Sequence, residues 1–107
     1  MLKVLTYPIL VVLLALGGAA AASATDLPNF DTDTYCRNVA DSVGGSYEIE
    51  LGCRKDEGRA FDQLQQINIP TKIVRYCTGV ANSVGGSYEI FLGCVNDEVS
   101  AREKLDN

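Results

Sequence analysis

The chain has 107 residues, no histidine and no tryptophan, and its 14 acidic against 9 basic side chains leave a net charge of −5. That length allows one or two small domains. An acidic balance without a basic cluster argues against nucleic acid as a ligand, and the missing histidine removes the usual base of a hydrolytic triad.

Residues 1–24 read as a signal peptide. Lys3 supplies a short positive start, Val4 to Leu16 runs without a charge, and Ala22-Ser23-Ala24 has the small side chains that a signal peptidase accepts. Cleavage is expected after Ala24, with Ala22 as the alternative site. An uncleaved anchor is the competing reading. It is disfavoured because the strongly apolar part falls short of the ~20 residues of a spanning helix. Removing residues 1–24 takes away one lysine and no acid, so the net charge becomes −6. Four cysteines in a short exported chain then read as two disulfides, which a core this small needs.

Residues 25–34 form an arm, with caps on offer from Asp31 to Thr34. Two repeats follow. Residues 35–64 (YCRNVADSVGGSYEIELGCRKDEGRAFDQL) and 76–105 (YCTGVANSVGGSYEIFLGCVNDEVSAREKL) agree at 19 of 30 positions at an offset of 41, with no gap. Such agreement marks one structural unit used twice.

Within each unit, Cys36, Val39, Ala40 and Val43 share a helical face, as do Cys77, Val80, Ala81 and Val84. Gly44-Gly45 and Gly85-Gly86 end this first helix. Ser46 and Ser87 are natural N-caps for a second, with Glu48 and Glu89 in its first turn. Ile49, Cys53, Ala60 and Leu64 then share a face, matched by Ile90, Cys94, Ala101 and Leu105. A strand over Ser46–Leu51 is the competing reading, because Tyr47, Ile49 and Leu51 alternate with acids. Phe91 breaks that alternation in the second copy. Gly52 and Gly93, each costing a helix about 1 kcal/mol against alanine, leave the continuity of the second helix open.

The Gly-Gly pair sits midway between the cysteines of each unit. In an antiparallel hairpin, residues equidistant from the turn face each other, so Cys36 is expected to bond Cys53, and Cys77 to bond Cys94. Residues 65–75 link the hairpins, with Ile69-Pro70 breaking the helix and Thr71 expected to cap the next one. Residues 76–107 make the second hairpin. The fold expected is all-α: two disulfide-stapled αα-hairpins packed as an irregular four-helix domain.

The copies diverge at Glu50, Arg54 and Gly58, which become Phe91, Val95 and Val99. Tyr88, Leu92, Val95 and Val99 thereby make an apolar stripe opposite the cysteine face, flanked by Phe91. The stripe is expected to pack against the first hairpin, helped by Phe61, Ile67 and Ile69. A docking face for a protein partner or a homodimer is the alternative.

Chemical motifs are sparse. The shared acids Glu48/Glu89, Asp56/Asp97 and Glu57/Glu98 read as caps and solvated faces, not as an acid–base pair. A zinc site lacks C-x2-C pairs, and a thiol redox role lacks C-x-x-C. Asp31-x-Asp33 is too short for a calcium loop, GGSY is not a nucleophile elbow, and a phosphate loop would need a lysine. No metal, cofactor or enzymatic activity is expected.

The repeated pattern Cys-x2-Val-Ala, Gly-Gly-Ser-Tyr, Cys-x3-Glu-x2-Ala resembles a segment of small exported proteins of proteobacteria, here duplicated over 60 residues. The resemblance implies export and a helical hairpin, and it carries no activity or site with it. The expected protein is periplasmic or secreted, a non-enzymatic interaction or envelope-associated protein. The alternative is a secreted inhibitor or effector acting on another organism's protein.

Overall fold

A computed structural model describes residues 26–107, and the expected signal peptide lies outside them. Four helices follow in order: α1 (Thr32–Asp41), α2 (Tyr47–Leu64), α3 (Thr71–Asn82) and α4 (Tyr88–Asp106). No strand occurs among the described residues, so Ser46–Leu51 is helical from Tyr47 onward. Both long helices run unbroken through Gly52 and Gly93.

Local chemistry sets most of the helix ends. Asp31 caps α1 by accepting from the Thr34 amide at 3.2 Å. Ser46 and Ser87 cap α2 and α4, accepting from Ile49 and Ile90 at 3.1 Å each. Gly44 and Gly85 have φ near +100°, and the following glycine amides reach back to Ala40 and Ala81. Paired with the Gly44–Asp41 and Gly85–Asn82 bonds, this is the left-handed Schellman ending. One cap differs from expectation. Pro70, not Thr71, occupies the N-cap of α3 and makes no side-chain cap bond, while its carbonyl accepts from Ile73 and Val74. Thr71 is already helical, while Pro70, at φ −59° and ψ 142°, holds the extended backbone just before the first turn.

Each tight turn folds its helices back on one another. The chain closes two disulfides, Cys36–Cys53 and Cys77–Cys94, with Cα atoms 5.5 and 5.6 Å apart. The pairing follows the symmetry about Gly-Gly. α1 pairs with α2, α3 with α4, and the long helices α2 and α4 pack against each other in the middle.

The core lies at that central contact. Ala60 and Leu64 of α2, Ile73, Cys77 and Ala81 of α3, and Tyr88, Phe91 and Val95 of α4 form one buried cluster. Phe61, Ile69, Leu92 and Val99 pack around it. The divergent stripe of the second repeat therefore packs within the chain, and Phe91 and Val95 are fully buried there. Burying each such side chain contributes on the order of 2 kcal/mol. Ile67 is half-buried but lies outside this cluster.

Three parts of the expected apolar faces are not covered. Ile49 and Ile90, near the starts of α2 and α4, are 41 % and 40 % exposed. Val43 and Val84 are exposed, since each helix ends before them and the turn carries them off the seam. Leu64 is 1 % exposed, whereas its counterpart Leu105 is 85 % exposed and Ala101 is exposed as well. The reason is positional. The C-terminal half of α2 has α4 to pack against, and no described element covers Ala101 and Leu105 of α4 in the same way.

Candidate functional site

Two surface features could carry function: the α2–α4 joint and a groove that occurs once on each hairpin. The joint is built around Glu57, a carboxylate only 2 % exposed. Its Oε2 accepts from Ser87 Oγ at 2.5 Å and its Oε1 from the Tyr88 amide at 2.6 Å, with the Glu89 amide farther off at 3.3 Å. A side chain of α2 thus closes the start of α4, where orphan amides and the helix dipole favour a negative charge.

Tyr88 continues the joint. Its ring packs at 4.9 Å from Phe61 and 4.8 Å from Phe30. Its hydroxyl donates to the Pro28 carbonyl at 2.8 Å and accepts from the Phe30 amide at 3.0 Å. The arm before α1 is tied to the second repeat in this way. Gly86, at φ +91°, lets Phe30 come close: a Cβ there would stand 3.1 Å from the Phe30 ring. A cavity of about 300 Å³ opens beside the joint, lined in part by Asp33, Arg54 and Glu57. Both oxygens of Glu57 are engaged with α4. Arg54 is held by Asp33 at 2.7 Å and Glu50 at 2.6 Å, and the Glu50 hydrogen bond raises the guanidinium pKa above its ordinary value. These charges satisfy one another and leave no free acid–base pair.

The grooves are of a different kind. On the first hairpin, Tyr35 and Val39 from α1 and Ile49, Gly52, Cys53 and Asp56 from α2 line a groove of about 360 Å³. On the second, Tyr76, Val80, Ile90, Gly93, Cys94 and Asp97 line another of about 360 Å³. These are the same six positions 41 residues apart, and all six are identical in the two copies. Glu89 lines both grooves, so they adjoin. Glu98 adds a further acid to the second, and no lysine or arginine lines either. Arg59 hydrogen-bonds Asp56 beside the first groove; its counterpart, Ser100, leaves Asp97 without that neighbour.

The disulfides account for the cysteines, but burial does not account for the isoleucines and glycines. Ile49 and Ile90 are 41 % and 40 % exposed, and Gly52 and Gly93 are exposed within helices. A Cβ on either glycine would meet nothing within 4 Å. Alanine would suit the helix better by about 1 kcal/mol, so fold stability gives no reason for glycine at these two positions. What glycine provides is an open floor beside each disulfide.

The sequence reading named the four cysteines and Tyr88, Phe91, Leu92, Val95 and Val99. The cysteines are all disulfide-bonded, and the apolar five are buried or half-buried at the joint. The groove was missed. Its signal was present in the repeat comparison, as identity at positions that a hairpin does not bury. No cluster of three or more His, Cys, Asp or Glu side chains able to hold a metal occurs among the described residues. No helix among them is long and apolar enough to cross a membrane. Two disulfides fit an oxidising environment. Compared with protein families, curated proteins and solved structures, the chain matches none.

Proposed function

We propose that the protein is an exported, non-enzymatic binding module that offers the same groove twice to a protein partner outside the cytoplasm. The carrying observation is that all six groove positions are identical in both repeats, with Ile49/Ile90 and Gly52/Gly93 exposed in each, against divergence at 11 of the 30 aligned positions. The groove chemistry favours a segment with an aliphatic or aromatic side chain for the Tyr-Val-Ile wall. A neighbouring basic group would meet Asp97, Glu89 or Glu98. Two adjoining grooves favour a partner carrying that segment more than once, since a linked second site binds at high effective concentration. The signal-peptide layout and the disulfides support export, to the periplasm or the medium.

A titration with a Lys/Leu-rich peptide, followed by amide chemical shifts, tests this. Shifts should concentrate at Ile49, Gly52, Ile90 and Gly93. The substitutions Gly52→Leu and Gly93→Leu separate folding from binding. Each should raise stability by about 0.8 kcal/mol through helix propensity while filling its groove and removing the shifts there. Shifts located elsewhere, or undiminished in the leucine variants, would exclude the groove.

A further inference from the structure

The α2–α4 joint is head-to-tail, and each repeat carries both halves of it. One half is the later part of the second helix: Glu57, Ala60, Phe61 and Leu64. The other is the start of that helix in the next repeat: Ser87, Tyr88, Phe91 and Val95. Within the chain only one of each is used. Left over are the helix start of the first repeat and the later helix of the second. Tyr47 is 89 % exposed where Tyr88 is 6 % exposed, and Leu105 is open where Leu64 is sealed.

We infer that a second copy of this chain docks there, its Ser46-Tyr47 helix start seated on Glu98, Ala101, Arg102 and Leu105 in the way that Ser87-Tyr88 sits on α2. The established joint supplies the template. Glu98 takes the part of Glu57, facing the free first-turn amides of the incoming α2. Leu105 and Ala101 take the parts of Leu64 and Ala60. The remaining positions have changed from apolar to charged: Phe61 is replaced by Arg102, and Phe91 and Val95 by Glu50 and Arg54, the last two already paired with each other along α2. Arg102 would lie against the Tyr47 ring, as Phe61 lies against Tyr88, and within reach of Glu50. Arg54 stays with Asp33 and Glu50 of its own chain, as it is in the single copy. An apolar joint has become a charged one, with the Arg102 cation set opposite the Glu50 carboxylate.

The incoming copy would also complete a site. Inside the chain, Glu89 of the second repeat lines the groove of the first. Glu48 of a docked copy would reach the groove of the second repeat by the same step of 41 residues. This association goes beyond the binding reading and does not depend on it. Because the step relates unlike surfaces, it yields rings or open chains instead of a closed two-fold dimer. Charge at its centre makes the association weaker than the joint within the chain, and sensitive to salt.

Sedimentation of the disulfide-bonded full chain, from micromolar to millimolar concentration and at low and high salt, is the test. The average mass should rise with concentration at low salt and fall back when salt is added. Tyr47→Asp disables one surface and Glu98→Gln with Leu105→Asp the other; all three residues lie outside the core, so disulfides and helix content should be retained. Each variant alone should associate at least about tenfold more weakly. Mixed in equal amounts they should form a one-to-one heterodimer and nothing larger, because each retains one working surface. A chain monomeric throughout, a variant that associates as the parent does, or a mixture that stays monomeric would overturn the inference.

Discussion

Replacing Glu57 by alanine removes the acceptor of two buried donors, Ser87 Oγ at 2.5 Å and the Tyr88 amide at 2.6 Å. An orphaned buried donor costs about 1–3 kcal/mol. The cavity beside Glu57 admits water, which places each loss at the lower end. Losing the negative charge at the start of α4 adds about 0.5–1 kcal/mol. The expected destabilisation is therefore about 3 kcal/mol, a large share of the 5–15 kcal/mol available to a typical domain. Glu98→Ala is the internal control: the same residue type, 41 positions on, with no such buried partners. Its effect should stay within about 0.5 kcal/mol when measured at concentrations where the chain is monomeric. Guanidinium unfolding with the disulfides intact, followed by circular dichroism, reads both values. Amide exchange at Tyr88 should accelerate in the Glu57 variant alone. If the two variants unfold within 1 kcal/mol of each other (a bound chosen well below the ~3 kcal/mol expected), the buried cap is not what joins the hairpins.

The same asymmetry should appear at the tyrosines. Tyr88→Phe should cost about 1 kcal/mol and expose residues 26–30 to proteolysis, because its hydroxyl holds Pro28 and Phe30. Tyr47→Phe should change neither. Replacing Cys77 and Cys94 together by alanine should lower stability by about 3 kcal/mol, the chain-entropy value for a loop of this length. Asp31 has its pKa lowered from 3.8 by the Thr34 hydroxyl and then the Thr34 amide. Its capping contribution is thus present above pH 3.8 and lost as pH falls through the lower folded value. Exchange at the Thr34 amide should rise in that acid range, and Asp31→Asn should remove the dependence.

How much of this was legible beforehand depended on whether the cause was local. The Gly-Gly endings, the Ser46 and Ser87 caps and both disulfides follow from residues within one hairpin, and its symmetry leaves a single pairing in register. The apolar stripe could be read because Phe91, Val95 and Val99 replace a glycine and two charged residues of the first copy, and the structure packs it within the chain. The start of α3 was misplaced by one residue because Thr71 can cap a helix in isolation, while Pro70 sets the backbone first. The groove was overlooked because sequence identity between repeats looks like shared architecture until exposure shows which identical residues the architecture does not use.

From the sequence alone came the unit itself: a Cys-x16-Cys hairpin, made twice, with its ends and its staple specified by residues near one another in the chain. Tertiary structure decided which copy uses which surface. Glu57 and Glu98, Tyr47 and Tyr88, and Leu64 and Leu105 are the same letters in the same local pattern, yet one of each pair is buried and the other is not. A helix face is buried only by what stands opposite it. A head-to-tail joint between two repeats supplies that neighbour once, leaving the matching surfaces at the two ends open.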